Sequence, residues 1–187
     1  MAVRIFVAGD LHIPSRAAML HPNFQLLLEK EKWDYIVLTG DHTLPSVVQS
    51  FKSHLKNKQN LIACRGNMDR FQLPLQPTFS VHDVNLGVYH GTDIYPRGDI
   101  DQLKAKADEM KVRVLFTGHS HQIEFYYDDK HAILNPGTST GATGGTAWTV
   151  DVGIFILEII DTQEISIELF EIAQRNRIRS QKQKIKF

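Results

Sequence analysis

Apolar residues along the chain fall into two rhythms. Val3 to Ala8 is an unbroken apolar stretch apart from Arg4, and it reads as a buried strand. Residues 20–31 then place Leu20, Phe24, Leu27 and Leu28 on one helical face. Tyr35 to Thr39 is a second buried strand. Residues 44–56 repeat the helical pattern through Leu44, Val47, Val48, Phe51 and Leu55, and Leu61 to Cys64 gives a third strand. This alternation predicts a parallel sheet with right-handed crossovers.

After residue 75 the rhythm shortens. Phe79 to His82 and Leu86 to His90 read as strands joined by Asp83-Val84-Asn85, and residues 99–110 as a helix. Val112 to Thr117 is another strand. Ile123 to Tyr127 with Ala132 to Leu134, and Val152 to Ile160 with Ile165 to Ile172, read as two hairpins. An α/β architecture of two sheets packed face to face, with helices outside, accommodates both halves. Gly137 to Gly145, rich in Gly, Ser and Thr, reads as a loop.

Composition narrows the class. A chain of 187 residues, 42% hydrophobic and 22% charged, is expected to form a single soluble domain. Lys+Arg and Asp+Glu are both 21, so the net charge is zero, which disfavours a general nucleic-acid binder. Residues 174–187 nevertheless hold Arg175, Arg177, Arg179, Lys182, Lys184 and Lys186 and no acid, leaving residues 1–173 with six more acids than bases. We therefore expect one domain over 1–173, followed by a basic tail or a charge-protected edge strand over 174–187. The single cysteine, Cys64, excludes an intrachain disulfide and fits a reducing compartment. No stretch of about 18 apolar residues suggests a membrane span. The expectation is a cytoplasmic protein, monomeric on its own.

Metal-ligand residue types recur directly after the strands. Asp10 and His12 follow the first, Asp41 the second and Asn67 the third; His90 ends the fifth, and His119 and His121 follow the sixth. In open α/β sheets, ligands bind beyond the carboxyl ends of the strands. Imidazole, carboxylate and amide oxygen without thiolate suit Mn²⁺, Zn²⁺ or Mg²⁺. Seven ligands exceed the needs of one tetrahedral ion and suit two ions sharing a carboxylate. Each element alone has a blander reading: Asp-x-His as a cap, Gly-Asp as a turn, Asn67 as a left-handed turn residue, His90 as a half-buried histidine. The ordered set is what points to a metal pair. His21, His42, His54, His82 and His131 read as surface or turn residues, and Trp33 and Trp148 as packing.

Asp10-x-His12, Gly40-Asp41, Gly66-Asn67-x-Asp69, His90 and Gly118-His119-x-His121, in that order, resemble the calcineurin-like metallophosphoesterase family. The resemblance implies a four-layer sandwich. It implies one metal on Asp10, His12, Asp41 and His121 and a second on Asp41, Asn67, His90 and His119, with Asp41 bridging. Gly9 to Pro14, His90-Gly91 with Pro96-x-Gly98-Asp99, and Asn135 to Ala142 resemble, more narrowly, the branch whose members are the small subunit of the retromer complex. That branch implies docking of the metal-bearing end onto the helical-solenoid subunit, vacuolar protein sorting protein 35, and a peripheral place on endosomes. It also implies a separate regulator-binding apolar patch near Leu27, Leu28, Tyr95, Leu157 and Phe170.

Active phosphatases of the family usually carry a histidine after the asparagine as general acid. Met68 stands there, and a thioether cannot donate a proton. Thr92 stands where a second histidine is often found. The resemblance thus implies a scaffold with a retained metal site, and, as the alternative, a weak metal-dependent phosphodiesterase.

Overall fold

The computed structural model describes residues 2–144, 150–161, 164–173 and 176–186. Its first strand, β1 (Val3–Ala8), sends Ile5 and Val7 to one apolar core and Phe6 and Ala8 to another. Burial on both faces is what makes a strand read as an apolar run. α1 (Pro22–Glu29), β2 (Tyr35–Leu38), α2 (Pro45–Phe51) and β3 (Leu61–Ala63) follow, and β2 lies parallel to both β1 and β3. Proline opens each helix, in the first turn where its missing N–H leaves no bond unmade. The apolar periodicity over 44–56 is shared between α2 and a 3₁₀ turn, Lys52–His54, so the second helix is shorter than its pattern predicts.

β4 (Thr78–Val81) and β5 (Val84–Val88) form a hairpin. His82 and Asp83 make its turn, at φ of 47° and 63°. A two-residue turn with both centres left-handed matches the strand twist, so the connection is tighter than the three residues read from the sequence. α3 (Ile100–Met110) begins at Asp99, whose side chain accepts the N–H of Gln102. β6 (Val114–Phe116), β7 (Ile123–Tyr127) and β8 (Ala132–Pro136) complete a five-stranded sheet ordered β4-β5-β6-β8-β7, with β5, β6 and β8 parallel.

The chain then returns to the first sheet. β9 (Gly153–Ile159) pairs antiparallel with β1, β10 (Ile165–Ala173) with β9 and β11 (Arg177–Ile185) with β10, giving the order β11-β10-β9-β1-β2-β3. In β11, Lys182 and Arg179 stand opposite Glu168 and Glu171, Lys184 Nζ lies 2.6 Å from Glu164 Oε1, and Ile185 is buried. Cross-strand charge pairing and one buried anchor hold this basic segment as a sheet edge.

Three apolar clusters result. Ile5, Val7 and Val37 meet Val88, Phe116 and Leu134 between the sheets. Phe6, Leu38, Phe24, Leu28, Val48 and Trp33 pack between the first sheet and α1 and α2. Leu103 and Ala107 of α3 cover Leu115 and Ile133 on the second sheet. The layers are therefore helix, sheet, sheet, helix, the four-layer α/β sandwich.

Burial corrects several sequence readings. Leu28 and Leu157 are 2% and 0% exposed and belong to the cores, so neither forms part of a surface patch. Leu27 and Phe170 are half-buried against the helix-side cluster, whereas Tyr95, 85% exposed, lies on the loop between β5 and α3. His42 and His131 are buried, not surface residues: His42 meets the Cys64 carbonyl and His131 the Asp108 carboxylate. Trp33 is buried as expected, donating its Nε1–H to Leu28 O at 2.9 Å; Trp148 lies outside the described residues. Among the described residues no helix is long and apolar enough to cross a membrane.

Candidate metal centre

The carboxyl ends of β1, β2, β3, β5 and β6 deliver the seven side chains read from the sequence to one rim. Asp10, His12 and His121 bring ligand atoms within 4.8 Å of one another, and so do Asp10, Asp41 and His90. The Asp41 carboxylate spans the cluster, with Oδ2 3.6 Å from His12 Nε2 and Oδ1 3.4 Å from His90 Nε2. Asp10 Oδ1 lies 3.3 Å from His121 Nε2. Asn67 Oδ1 approaches His90 Nε2 at 3.2 Å. His119 stacks edge-on against His90, with ring centroids 5.2 Å apart, and its backbone N–H donates to Asp10; its ring is in neither group of three. Asp10 is shared by both groups, a second spanning carboxylate that the sequence did not single out.

Backbone strain is concentrated on this rim. Asp10, His12, Asp41, His119 and His121 all have φ between 47° and 68°. The left-handed region costs a residue with a Cβ about 1–2 kcal/mol. Such conformations persist only where their surroundings over-determine them, commonly at functional sites.

Those surroundings come largely from two segments. The Asp69 carboxylate accepts the N–H groups of Asp41, His42, Thr43 and Gly66 at 2.7–3.1 Å. Asn135 Nδ2 donates to Gly118 O and Ser120 Oγ, Thr138 Oγ1 donates to Asp10 O, and Ser139 Oγ accepts the N–H of Gly9. Residues 135–142 thus tie the loop of Asp10 to the loop of His119 and His121. Asp69 was legible only as part of a motif, and nothing in composition or spacing announced its role.

The polar atoms of the cluster face one another without enough protons. His121 Nδ1 lies 3.1 Å from Ala142 O and His90 Nδ1 lies 2.8 Å from Thr39 O, so each Nδ1 carries a proton and each Nε2 faces inward, a lone pair whenever the ring is neutral. His121 Nε2 meets His12 Nε2 at 3.1 Å. His90 Nε2 meets the oxygens of Asn67 and Asp41. His12 Nδ1 is buried without a partner among the described residues. Inward lone pairs converging on carboxylates fit a divalent cation, and the donor set of imidazole, carboxylate and amide suits a borderline or hard one.

Without a cation the proton economy is uneven. Burial opposes the charged form of His90, but the Asp41 hydrogen bond, the Asp10 and Asp41 charges and the Thr39 carbonyl outweigh it and lift its pKa to about 9. Burial pushes the Asp41 carboxyl upward, and His90, the Met68 N–H and His12 more than reverse this, bringing it to about 2. Burial lowers His12, with Arg16 and His121 adding to it against Asp41 and Asp10. Burial, His90 and Arg97 lower His119 to about 4.

Fold and site together are those of the metallophosphoesterase fold: the chain belongs to the calcineurin-like phosphoesterase superfamily, whose domain matches residues 3–156. A curated relative, the probable metallophosphoesterase MJ0623 of Methanocaldococcus jannaschii, is 36% identical over 138 residues, covering 73% of this chain and 68% of the relative. The solved structures it resembles over nearly its full length include those of vacuolar protein sorting 29. That of Cryptosporidium parvum superposes with a TM-score of 0.91 at 21% identity, covering 100% of this chain and 99% of the other. That of Chaetomium thermophilum gives 0.86 at 26% identity, covering 98% of each. That of Entamoeba histolytica, solved in complex with Zn²⁺, gives 0.85 at 23% identity, covering 97% and 99%.

Proposed function

We propose that this protein is a retromer-type subunit, a protein-interaction scaffold for retrograde transport from endosomes to the Golgi and plasma membrane, with a retained two-metal site. The observation that carries this reading is the end-to-end correspondence with the vacuolar protein sorting 29 of Chaetomium thermophilum at 26% identity. It extends through β10 and β11, beyond the superfamily domain at residues 3–156. On this reading the protein is cytoplasmic and peripheral on endosomes, monomeric alone, and docks its metal-bearing end onto the helical-solenoid subunit, vacuolar protein sorting protein 35. Regulators would meet the half-buried apolar surface at Leu27 and Phe170.

Asp10, His12, Asp41 and His121 would hold one divalent ion, and Asp41, Asn67, His90 and His119 the other, with Mn²⁺, Zn²⁺ or Mg²⁺ suiting the donors. Such ions polarise a phosphoryl oxygen and neutralise its charge. What the chain adds is positioning: Asp69 and residues 135–142 fix the ligand loops. What it lacks is a proton donor beside Asn67, because Met68 lines the cavity there. General acid catalysis is worth about 10²–10⁴-fold, so this argues for a scaffold over an efficient phosphodiesterase.

The test pairs a pull-down with the solenoid subunit and an assay on bis-p-nitrophenyl phosphate with Mn²⁺. Binding without appreciable turnover supports the proposal. Enzyme-like turnover without binding replaces it with the alternative, a metal-dependent phosphodiesterase.

A further inference from the structure

The basic segment that ends the chain has a place in the fold but no use so far. β11 is the outermost strand of the six-stranded sheet, and no strand among the described residues pairs with its outer side. It is exposed except at Gln183 and Ile185. An open strand edge presents a row of backbone N–H and C=O groups, a template for a further strand. Residues 176–186 hold Arg177, Arg179, Lys182, Lys184 and Lys186 and no acid. The carboxylates that offset them, Glu164, Glu168 and Glu171, lie on the inner side, in or beside β10. Among the described residues Lys184 alone of the five closes an ion pair. Side chains alternate along a strand. Arg177 and Arg179 therefore share the face of buried Ile185, while Lys182 and Lys184 lie on the other.

We propose that the outer edge of β11 takes an acidic extended segment of a partner protein, which adds to the sheet as one more strand. In this mode backbone hydrogen bonds supply affinity and the facing side chains supply selection. Each residue of the added strand meets the β11 residue opposite it on the same face, where opposite charges attract and like charges repel. The cations at 177, 179, 182 and 184 are spaced by two, three and two residues. That spacing is the same in both directions, so parallel and antiparallel pairing both call for acids in the pattern Glu-x-Glu-x-x-Glu-x-Glu. The same charges exclude other occupants. A second copy pairing edge to edge sets cations against cations. A flat anionic lipid surface laid on either face of the strand meets only half of them. The edge lies one strand farther out than Phe170 and shares no residue with the metal rim, so it stands or falls apart from the function proposed above.

The experiment is fluorescence anisotropy on the full chain with a labelled, end-capped peptide, Glu-Val-Glu-Val-Thr-Glu-Val-Glu. It is expected to bind at least tenfold more tightly than Glu-Glu-Glu-Glu-Val-Val-Thr-Val, which has the same composition and charge. Two forms of the matched peptide, N-methylated at its odd or at its even residues, should differ at least tenfold, because only one edge of an added strand hydrogen-bonds to β11. Arg177→Glu stands opposite Ala173 and so meets no like charge in β10. It should weaken the matched peptide at least threefold, and lysine in place of the glutamate at one end, and only that end, should restore binding. Lys58→Glu, beside β3 at the opposite edge of the sheet, should change nothing. Equal binding of the matched and reordered peptides, equal binding of the two N-methylated forms, or no binding overturns the proposal. So does a dimer in light scattering that Arg177→Glu disperses. Binding to phosphatidylserine vesicles that Arg177→Glu abolishes, with the peptide unbound, overturns it in favour of a lipid surface.

Discussion

The Asp69 carboxylate accepts the backbone N–H of Asp41 at 3.1 Å through Oδ2, and through the same two oxygens it also gathers the N–H groups of His42, Thr43 and Gly66. Asp41 and Thr43 are both left-handed, at φ of 54° and 77°. The loop that presents the spanning carboxylate is therefore held in a conformation it would not adopt unaided. Gly66 completes the contact, since a Cβ there would collide with Asp41. Asp69→Ala would strand several buried N–H groups, each costing about 1–3 kcal/mol when unsatisfied. We expect a net loss of about 3 kcal/mol in urea denaturation and at least a tenfold weaker Mn²⁺ affinity by calorimetry. Asp69→Asn, which keeps one acceptor oxygen, should lose less of both. Unchanged affinity in Asp69→Ala would mean that the loop is held by other contacts.

Metal uptake should release one proton near neutral pH. In the unloaded site His90 is protonated below about pH 9, while His119, lowered to about 4, and His12, lowered by burial, are already neutral at pH 7. A ligating imidazole must give up its proton, so a divalent ion competes with the proton on His90. Apparent affinity should rise about tenfold per pH unit from pH 6 toward pH 9 and then level. Calorimetry in two buffers of different ionisation enthalpy reads the count directly. No proton release at pH 7 would place the ion away from His90.

Much of this was legible because strands buried on both faces announce themselves. The runs at Val3 to Ala8 and Tyr35 to Thr39 gave the strands, and a ligand-type residue beyond each gave the rim. Less legible was whatever depends on contacts between distant segments. Leu157 and Leu28 look like patch residues in one dimension, yet Leu157 faces the inter-sheet core and Leu28 packs in the helix-side core, its own carbonyl accepting the Trp33 indole N–H. His42 and His131 look like turn histidines until Cys64 O and Asp108 arrive from elsewhere in the chain. The left-handed backbone of five ligand residues has no sequence signal, because the glycine that normally marks such φ values is replaced by the functional side chain itself.

The β7–β8 turn should confer stability that depends on acid pH. Asp128 accepts from Lys104 Nζ at 2.8 Å, Tyr126 OH at 2.8 Å, Lys130 N at 2.9 Å and His131 N at 2.7 Å. The Lys104 hydrogen bond and these donors hold its carboxyl well below the usual range. A depressed folded-state pKa contributes stability above the unfolded value, about 4, that is lost as pH falls through the folded one. Because the pair is partly exposed, Asp128→Asn should cost only about 0.5–1 kcal/mol at pH 7. The gap to wild type should narrow steadily below about pH 4. Denaturant titrations at pH 7 and pH 3 check this, and a gap that widens in acid would reverse the assignment.

Met68 offers the sharpest test of whether a missing proton donor limits turnover at this site. Its backbone N–H donates to Asp41 Oδ1 at 2.8 Å while its side chain lines the cavity. Met68→His therefore places an imidazole beside the reacting oxygens without disturbing the loop. A positioned acid contributes about 10²–10⁴-fold, most where the leaving group is a poor one. With Mn²⁺ present, kcat/KM on an alkyl phosphodiester should rise at least tenfold more than on bis-p-nitrophenyl phosphate, whose leaving group needs little protonation. The ratio of the two gains is the diagnostic, because better folding or tighter metal binding would raise both alike. Equal gains would show that proton donation is not what the site lacks.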